Sequence, residues 1–279
     1  MQRKNLIKPL AIDCKTIGIL ESEEELRIHS IFKNTINIKT NHGLIVVTTI
    51  KEVIPPLGII IDSKDFEDFK DLNFKLNVSK SMIYNSDCLK YSILPDTRVL
   101  SIYFRRFKEL DLRNGFGISI DAMHSILKRK FYPATLNEDE KLINKIIVEK
   151  DINQLMKLIG RGQGLTPSGD DFFVGFLAAL MSNHRIDLKE LKEHPEIQNI
   201  NKYTTDIGVD YIVKAINGKF SQNILRLINF IQLNIYDEKA MLDLINFGDT
   251  SGVDTFLGIL AGYVSLITNT NNYIEEKIV

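Results

Sequence analysis

Cysteine is scarce in this chain. Only Cys14 and Cys88 occur among its 279 residues. Their spacing matches no metal-binding or redox motif, so a disulfide framework is not expected and a reducing, cytoplasmic setting is. Excess positive charge is also missing, the formal net charge being -1. With no surplus of Lys and Arg to neutralise phosphates, the balance argues against a general nucleic-acid binder, although it leaves room for a local basic pocket. The longest apolar run, about Val253 to Ile267, falls short of the roughly 18–20 residues that span a bilayer and contains Asp254. It reads as a buried helix, and no membrane association is expected. The first residues, Met1-Gln2-Arg3-Lys4-Asn5-Leu6-Ile7-Lys8, contain no apolar core of signal-peptide length. Tyr and Phe are scattered without a stacking motif, so no base-stacking platform is expected. There is no Gly-Lys-Ser/Thr P-loop and no full Gly-x-Gly-x-x-Gly.

What is present suits a globular α+β chain, with hydrophobic content of 44% and length enough for one large domain or two smaller ones. The first half is β-rich. Glu25 to Phe32 and Thr35 to Thr40 alternate polar and apolar residues, and Leu44 to Ile50 is strongly β-branched. Asn41-His42-Gly43 between the last two predicts a hairpin with a three-residue loop. Further strands are predicted at Gly58 to Asp62, Lys75 to Val78 and Arg98 to Phe104, and a helix at Ser119 to Lys128. From Asn137 onward the pattern is helical. Asn137 is placed to cap a helix with an acidic first turn, and Asp151 a second. Helices are predicted at about 170–183, 205–216, 221–233, 237–246 and 252–268. The expected division is therefore a β-rich domain over 1–133 and a helical domain over 134–279.

Two stretches of the helical half nearly repeat each other. Thr166-Pro167-Ser168-Gly169-Asp170-Asp171 leads into an apolar run, and so does Asp249-Thr250-Ser251-Gly252-Val253-Asp254. Two readings stand open. In one, Ser168 with Asp171 and Ser251 with Asp254 are capping boxes, and Gly175 and Gly258 only let buried helices pack side by side. In the other, the starts of both helices wall one pocket. Gly160, Gly162 and Gly164 precede the first copy and imply unusual dihedrals or close backbone approach. Their amides, those of the helix start and Arg161 would cradle an anion. Asp170 has no acidic counterpart in the second copy, where Val253 stands, and capping leaves it unexplained. Acidic groups there favour an amide nitrogen, an ammonium or a metal. Asp170, Asp171 and Asp254 would suit Mg²⁺, but no cofactor or metal is the main expectation. Thr204-Thr205-Asp206 reads as a helix cap, and His29, His124, His184 and His194 as structural or solvated.

Gly162-Gln163-Gly164-Leu165-Thr166-Pro167-Ser168-Gly169-Asp170-Asp171-Phe172 resembles the signature of the AllH family. His29-Ser30-x-Phe32 with Ile36-Asn37-Ile38, Thr204-Thr205-Asp206-Ile207 and the second Ser251-Gly252-Val253-Asp254 copy extend the resemblance over most of the chain. Gly208 departs from it, since Ser is expected there. The resemblance implies a subunit of an oxamate carbamoyltransferase of allantoin catabolism. Such an enzyme would convert carbamoyl phosphate and oxamate to oxalurate and phosphate, with partner subunits of which one resembles succinyl-CoA synthetase proteins. The candidate catalytic residues are then Asp170, orienting or deprotonating an amide nitrogen, with Asp171, Ser168 and Thr166. Candidate ligand-binding residues are Gly160, Arg161, Gly162, Gly164, Gly169, Thr250, Ser251, Asp254, Ser30 and Asn37. The alternatives are a non-catalytic metabolite-binding or scaffolding subunit, or an enzyme acting on a related amide or ureide.

Overall fold

The structure, a computed structural model, describes residues 5–22, 25–52, 54–72, 74–117, 136–149 and 152–267. It is α+β, with strands in the first part and helices dominating the rest. The chain divides into two compact units, Met1–Asp87 with Lys219–Asn223, and Cys88–Gly218 with Ile224–Val279. The expected boundary near residue 133, the expected helix from Ser119 to Lys128 with its His124, and the expected cap Asp151 lie outside the described residues.

The first unit is built on a mixed sheet of β2 (Ala11–Asp13), β3 (Arg27–Ile31), β4 (Thr35–Thr40), β5 (Gly43–Thr48), β6 (Gly58–Ile60) and β8 (Met82–Tyr84), in the order β3-β4-β5-β6-β2-β8. A separate parallel pair joins β1 (Asn5–Ile7) to β7 (Phe74–Leu76). Ile36 and Ile38 of β4 and Ile45 and Val47 of β5 are buried, with Phe66 and Phe69 of α2 (Phe66–Lys70) in the same core, and Asn37 between the two isoleucines is buried as well, so burial does not follow the polar–apolar alternation there. α1 (Cys14–Ser22) follows β2 directly. The β4–β5 turn is tighter than expected. Thr40 pairs with Gly43, whose φ of 103° a side chain would resist, so only Asn41 and His42 form the loop.

The second unit corrects one expectation. Arg98 to Phe104 is not a strand but part of α3 (Thr97–Leu110), capped by Asp96, whose side chain accepts from Arg98 N. Val99, Leu100, Tyr103, Phe104 and Phe107 are buried, a helical period that runs past the β-branched and aromatic residues suggesting a strand. Then come α4 (Glu138–Glu149), α5 (Ile152–Met156), α6 (Ser168–Ser182), α7 (Leu188–Glu193), α8 (Pro195–Gln198), α9 (Asp206–Ile216), α10 (Gln222–Gln232), α11 (Glu238–Ile245) and α12 (Ser251–Ile267). Asn137 forms the expected N-terminal cap of α4. Its Oδ1 accepts from Glu140 N at 2.8 Å while Glu140 Oε2 accepts from Asn137 N at 2.9 Å. α6 and α12 are buried on almost every face, as central helices are. α9 packs on α6, and α3, α4 and α11 pack on α12. No described helix is long and apolar enough to cross a membrane.

Candidate functional site

The repeat places α6 and α12 side by side and parallel, with their N-termini together. Glycine makes the approach possible. A Cβ on Gly175 would stand 2.0 Å from Thr255 O, and one on Gly258 2.2 Å from Phe172 O. One turn further on, a Cβ on Gly262 would meet Phe176 O at 2.9 Å. The contacts are reciprocal. The residue that faces Gly175 is the counterpart, in the second copy, of the residue that faces Gly258. The close packing read from the sequence is therefore present.

The capping-box reading fails at the first copy. Pro167 occupies the N-cap position of α6, and no side chain caps that helix. Each serine hydroxyl instead lies near the other copy's carboxylate, Ser168 by Asp254 and Ser251 by Asp171, and favours its charged form. A threonine hydroxyl acts in the same direction on each, Thr250 on Asp254 and Thr166 on Asp171. Thr166 Oγ1 also lies 3.2 Å from Ser251 Oγ.

Ser168, Asp170, Asp171 and Asp254 are all buried. Burial raises the Asp254 carboxyl from 3.8 to about 6, opposed by the hydrogen bond from Gly115 N and by the nearby Ser168 and Thr250 hydroxyls. Burial also lifts Asp171 well above the usual carboxylate range, reinforced by the charges of Asp254 and Asp170 and opposed by Ser251 and Thr166. Asp171 Oδ2 has no hydrogen-bond partner among the described residues. Tyr211 of α9 is raised by burial and by the charge of Asp171, and lowered by the nearby Thr255 hydroxyl.

Asp170 has a different environment. Its Oδ1 accepts from Gly160 N at 2.7 Å, and its Oδ2 accepts from the Thr204 hydroxyl. Burial raises its pKa against those two bonds. A Cβ at Gly208 would stand 2.3 Å from Asp170 Oδ2 and 2.4 Å from Thr204 Oγ1. The glycine at this departure from the family pattern makes room for the Asp170–Thr204 bond. Thr205 accepts from Gly208 N at 3.0 Å as the cap of α9 and donates to Leu165 O. The segment before α9 thus fastens both ends of the glycine-rich loop.

Gly160, Gly162 and Gly164 have φ of 78°, 102° and 101°, the unusual dihedrals expected of them. The expected anion cradle has a different partner set. Gly169 N donates to Arg161 O at 2.8 Å, and Asp170 N and Asp171 N donate to Pro167 O. The Arg161 guanidinium pairs with Asp139, and its Nε donates to Lys157 O at 2.9 Å. Ser30 and Asn37 belong to the first unit. Asn37 Nδ2 donates to Ser30 Oγ at 3.0 Å, and His29 Nδ1 lies 3.1 Å from the same oxygen. Among the described residues no group of three or more His, Cys, Asp or Glu side chains is arranged to hold a metal. A separate cavity of about 580 Å³, lined by Ile146, Leu155, Phe176, Leu180, Arg185 and Leu266, contains none of the expected site residues.

Sequence reasoning missed Gly115, Tyr211 and Thr255 and gave Thr204 only a capping role. Gly115 N donates to both Asp254 oxygens, at 3.0 and 3.2 Å. A Cβ there would fall 1.7 Å from Ser168 Oγ. Asn114-Gly115 is legible as a turn signal, but nothing local in sequence links it to a carboxylate 139 positions away.

The fold and site define an α+β protein whose helical unit sets two copies of a Ser-Gly-x-Asp helix start side by side through close glycine contacts. Residues 158–263 match the family model described as oxamate carbamoyltransferase subunit AllH, and residues 8–109 match the AllH family N-terminal domain. The chain belongs to the AllH family. It is also similar to neugrin of Mus musculus, with 30% identity over 103 residues, covering 33% of this chain and 33% of that protein. The chain thus spans about a third of the length of that curated relative. No solved structure matches the chain.

Proposed function

We propose that this chain is a subunit of a cytoplasmic oxamate carbamoyltransferase in allantoin catabolism, and that the joined helix starts hold the amide end of a substrate. Asp171 carries the reading. It is a buried carboxylate with one oxygen bare among the described residues, set between the Thr166 and Ser251 hydroxyls. Such a group accepts an N–H and orients the nitrogen behind it. In the reaction the oxamate nitrogen attacks the carbonyl carbon of carbamoyl phosphate. The new N–C bond forms, the C–O bond to phosphate breaks, and the proton lost from nitrogen passes to the departing phosphate. Asp170 acts as a positioning residue in this scheme, since both its oxygens brace the glycine-rich loop.

A second reading, of a metabolite-binding or scaffolding subunit, is favoured by one observation. The α6-start amides and Arg161, the groups expected to take the phosphate, are engaged within the chain. Partner subunits, one of them resembling succinyl-CoA synthetase proteins, would then supply the phosphate site. The test is oxalurate and phosphate formation from carbamoyl phosphate and oxamate by the assembled complex. Asp171→Asn is expected to lower turnover about 100-fold or more with assembly and circular dichroism unchanged. Unchanged turnover removes the site. Lost assembly with normal turnover in the complexes that do form establishes the scaffolding reading.

A further inference from the structure

β3 and β4 pair antiparallel, and their register slips once. Ile28 stands opposite Ile38 and Ser30 opposite Asn37, so two steps along β3 answer one step along β4, and His29 is the extra residue of a β-bulge. The slip changes which side chains share a face. Ile38 lies in the core of the first unit and Ile28 packs against that core. Unbroken alternation would turn Ser30 to the core as well. The bulge instead sets Ser30 against Asn37, on the face away from Ile38. There Asn37 Nδ2 donates to Ser30 Oγ at 3.0 Å, and His29 Nδ1 lies 3.1 Å from the same oxygen. Asn37 is buried, and His29 and Ser30 are half-buried. The Asn37 amide nitrogen carries two hydrogens, and the second has no partner among the described residues. The carbamoyl transfer proposed above uses none of these three side chains.

We propose that Ser30 is a nucleophile toward activated acyl esters, with His29 as its general base and the second Asn37 N–H as the donor to the developing oxyanion. A serine hydroxyl is a weak nucleophile until an adjacent base takes its proton. The His29 tautomer protonated at Nε2 takes it at Nδ1, within the reach a general base needs. Ser30 Oγ attacks the ester carbonyl carbon, the Oγ–C bond forms and the C–O bond to the alcohol breaks. The Ser30 proton passes to His29 and from there to the departing alkoxide. Water then attacks the acyl carbon, its proton returns through His29 to Ser30 Oγ, and the carboxylic acid leaves. Ester and water give acid and alcohol, with no other reactant. The Asn37 amide, held by burial, meets the carbonyl oxygen as charge develops on it. Val46, half-buried, stands opposite Asn37 in register, and the exposed Phe32 follows two residues after Ser30. Both favour an uncharged, apolar acyl group.

The test uses the full chain with diisopropyl fluorophosphate and with p-nitrophenyl butyrate. With the first, Ser30 Oγ displaces fluoride from phosphorus, and peptide mass spectrometry of the wild-type chain is expected to find the adduct on Ser30. His29→Ala is expected to slow this labelling about 100-fold. With the second, the wild-type chain is expected to release p-nitrophenolate and butyrate. Ser30→Ala is expected to lower that rate about 100-fold or more, and Asn37→Leu about 100-fold, with circular dichroism unchanged. Ser30→Cys keeps a nucleophile and is expected to carry a butyryl thioester visible by intact mass, which a purely structural hydroxyl would not produce. Because labelling is read on the wild-type chain, it decides the matter even where a variant does not fold. The proposal is overturned if the wild-type chain carries no adduct on Ser30. It is also overturned if His29→Ala labels as fast as the wild type, or if Ser30→Ala hydrolyses the butyrate ester as fast.

Discussion

Asp254 links burial to pH. Its carboxyl titrates from 3.8 to about 6 on folding, so between those values the folded chain holds a proton that the unfolded chain has released. Stability conferred through this residue is full at low pH and falls as pH rises through that window, by about 3 kcal/mol in all. Asp171 and Asp170 shift in the same direction and steepen the fall. Urea titrations of the wild-type chain and Asp254→Asn between pH 4 and 7.5 check this. The stability of the wild type relative to the variant is expected to drop by about 3 kcal/mol across the window, and parallel profiles contradict it. At this scale the sequence showed which residues are special but not how they pair. Asp170 stood out because the second copy has Val253 in its place. Its partners, Gly160 N and Thr204, lie 10 and 34 positions away, beyond the reach of any local rule.

The helix pair rests on contacts too close for any side chain. With a Cβ on Gly175 at 2.0 Å from Thr255 O and one on Gly258 at 2.2 Å from Phe172 O, neither alanine fits unless α6 and α12 separate. Gly175→Ala and Gly258→Ala are each expected to destabilise the chain by about 3 kcal/mol or more. The double variant is expected to lose less than the sum, because one separation relieves both clashes. Chemical denaturation of the three variants checks this, and strict additivity denies the shared contact. Much at this scale was legible in the sequence. The apolar periods placed α6, α9, α10, α11 and α12 within a residue or two of their observed ends. Two misreadings share a cause, which is that short-range rules were applied where tertiary packing decides. Val99 to Phe104 has strand-like composition but continues a helical period to Phe107. Ser168 and Asp171 have the spacing of a capping box, yet Pro167 takes the N-cap position and no side chain caps that helix.

Residues 219–223 complete the first unit in an order the composition does not reveal. They belong to the first unit although the second unit's chain surrounds them in sequence. Phe220 N donates to Ser86 O at 2.9 Å, Gln222 N to Ile54 O at 3.0 Å, Gln222 Nε2 to Asn85 O at 2.7 Å and Asn223 Nδ2 to Glu52 O at 3.1 Å. A fragment ending at Asp87 forfeits all four. It is expected to be less stable by about 2–6 kcal/mol than the same fragment with residues 219–223 fused through a flexible linker, as read by urea unfolding. Equal midpoints refute the dependence. The same segment sets a clock on the ribosome. Roughly 130 residues separate Asp87 from Lys219, and at about 5–20 residues per second their synthesis takes roughly 7–26 s. For that interval the first unit waits unfinished, with the acceptors of its last segment turned to water, and completes itself only after most of the second unit has been made.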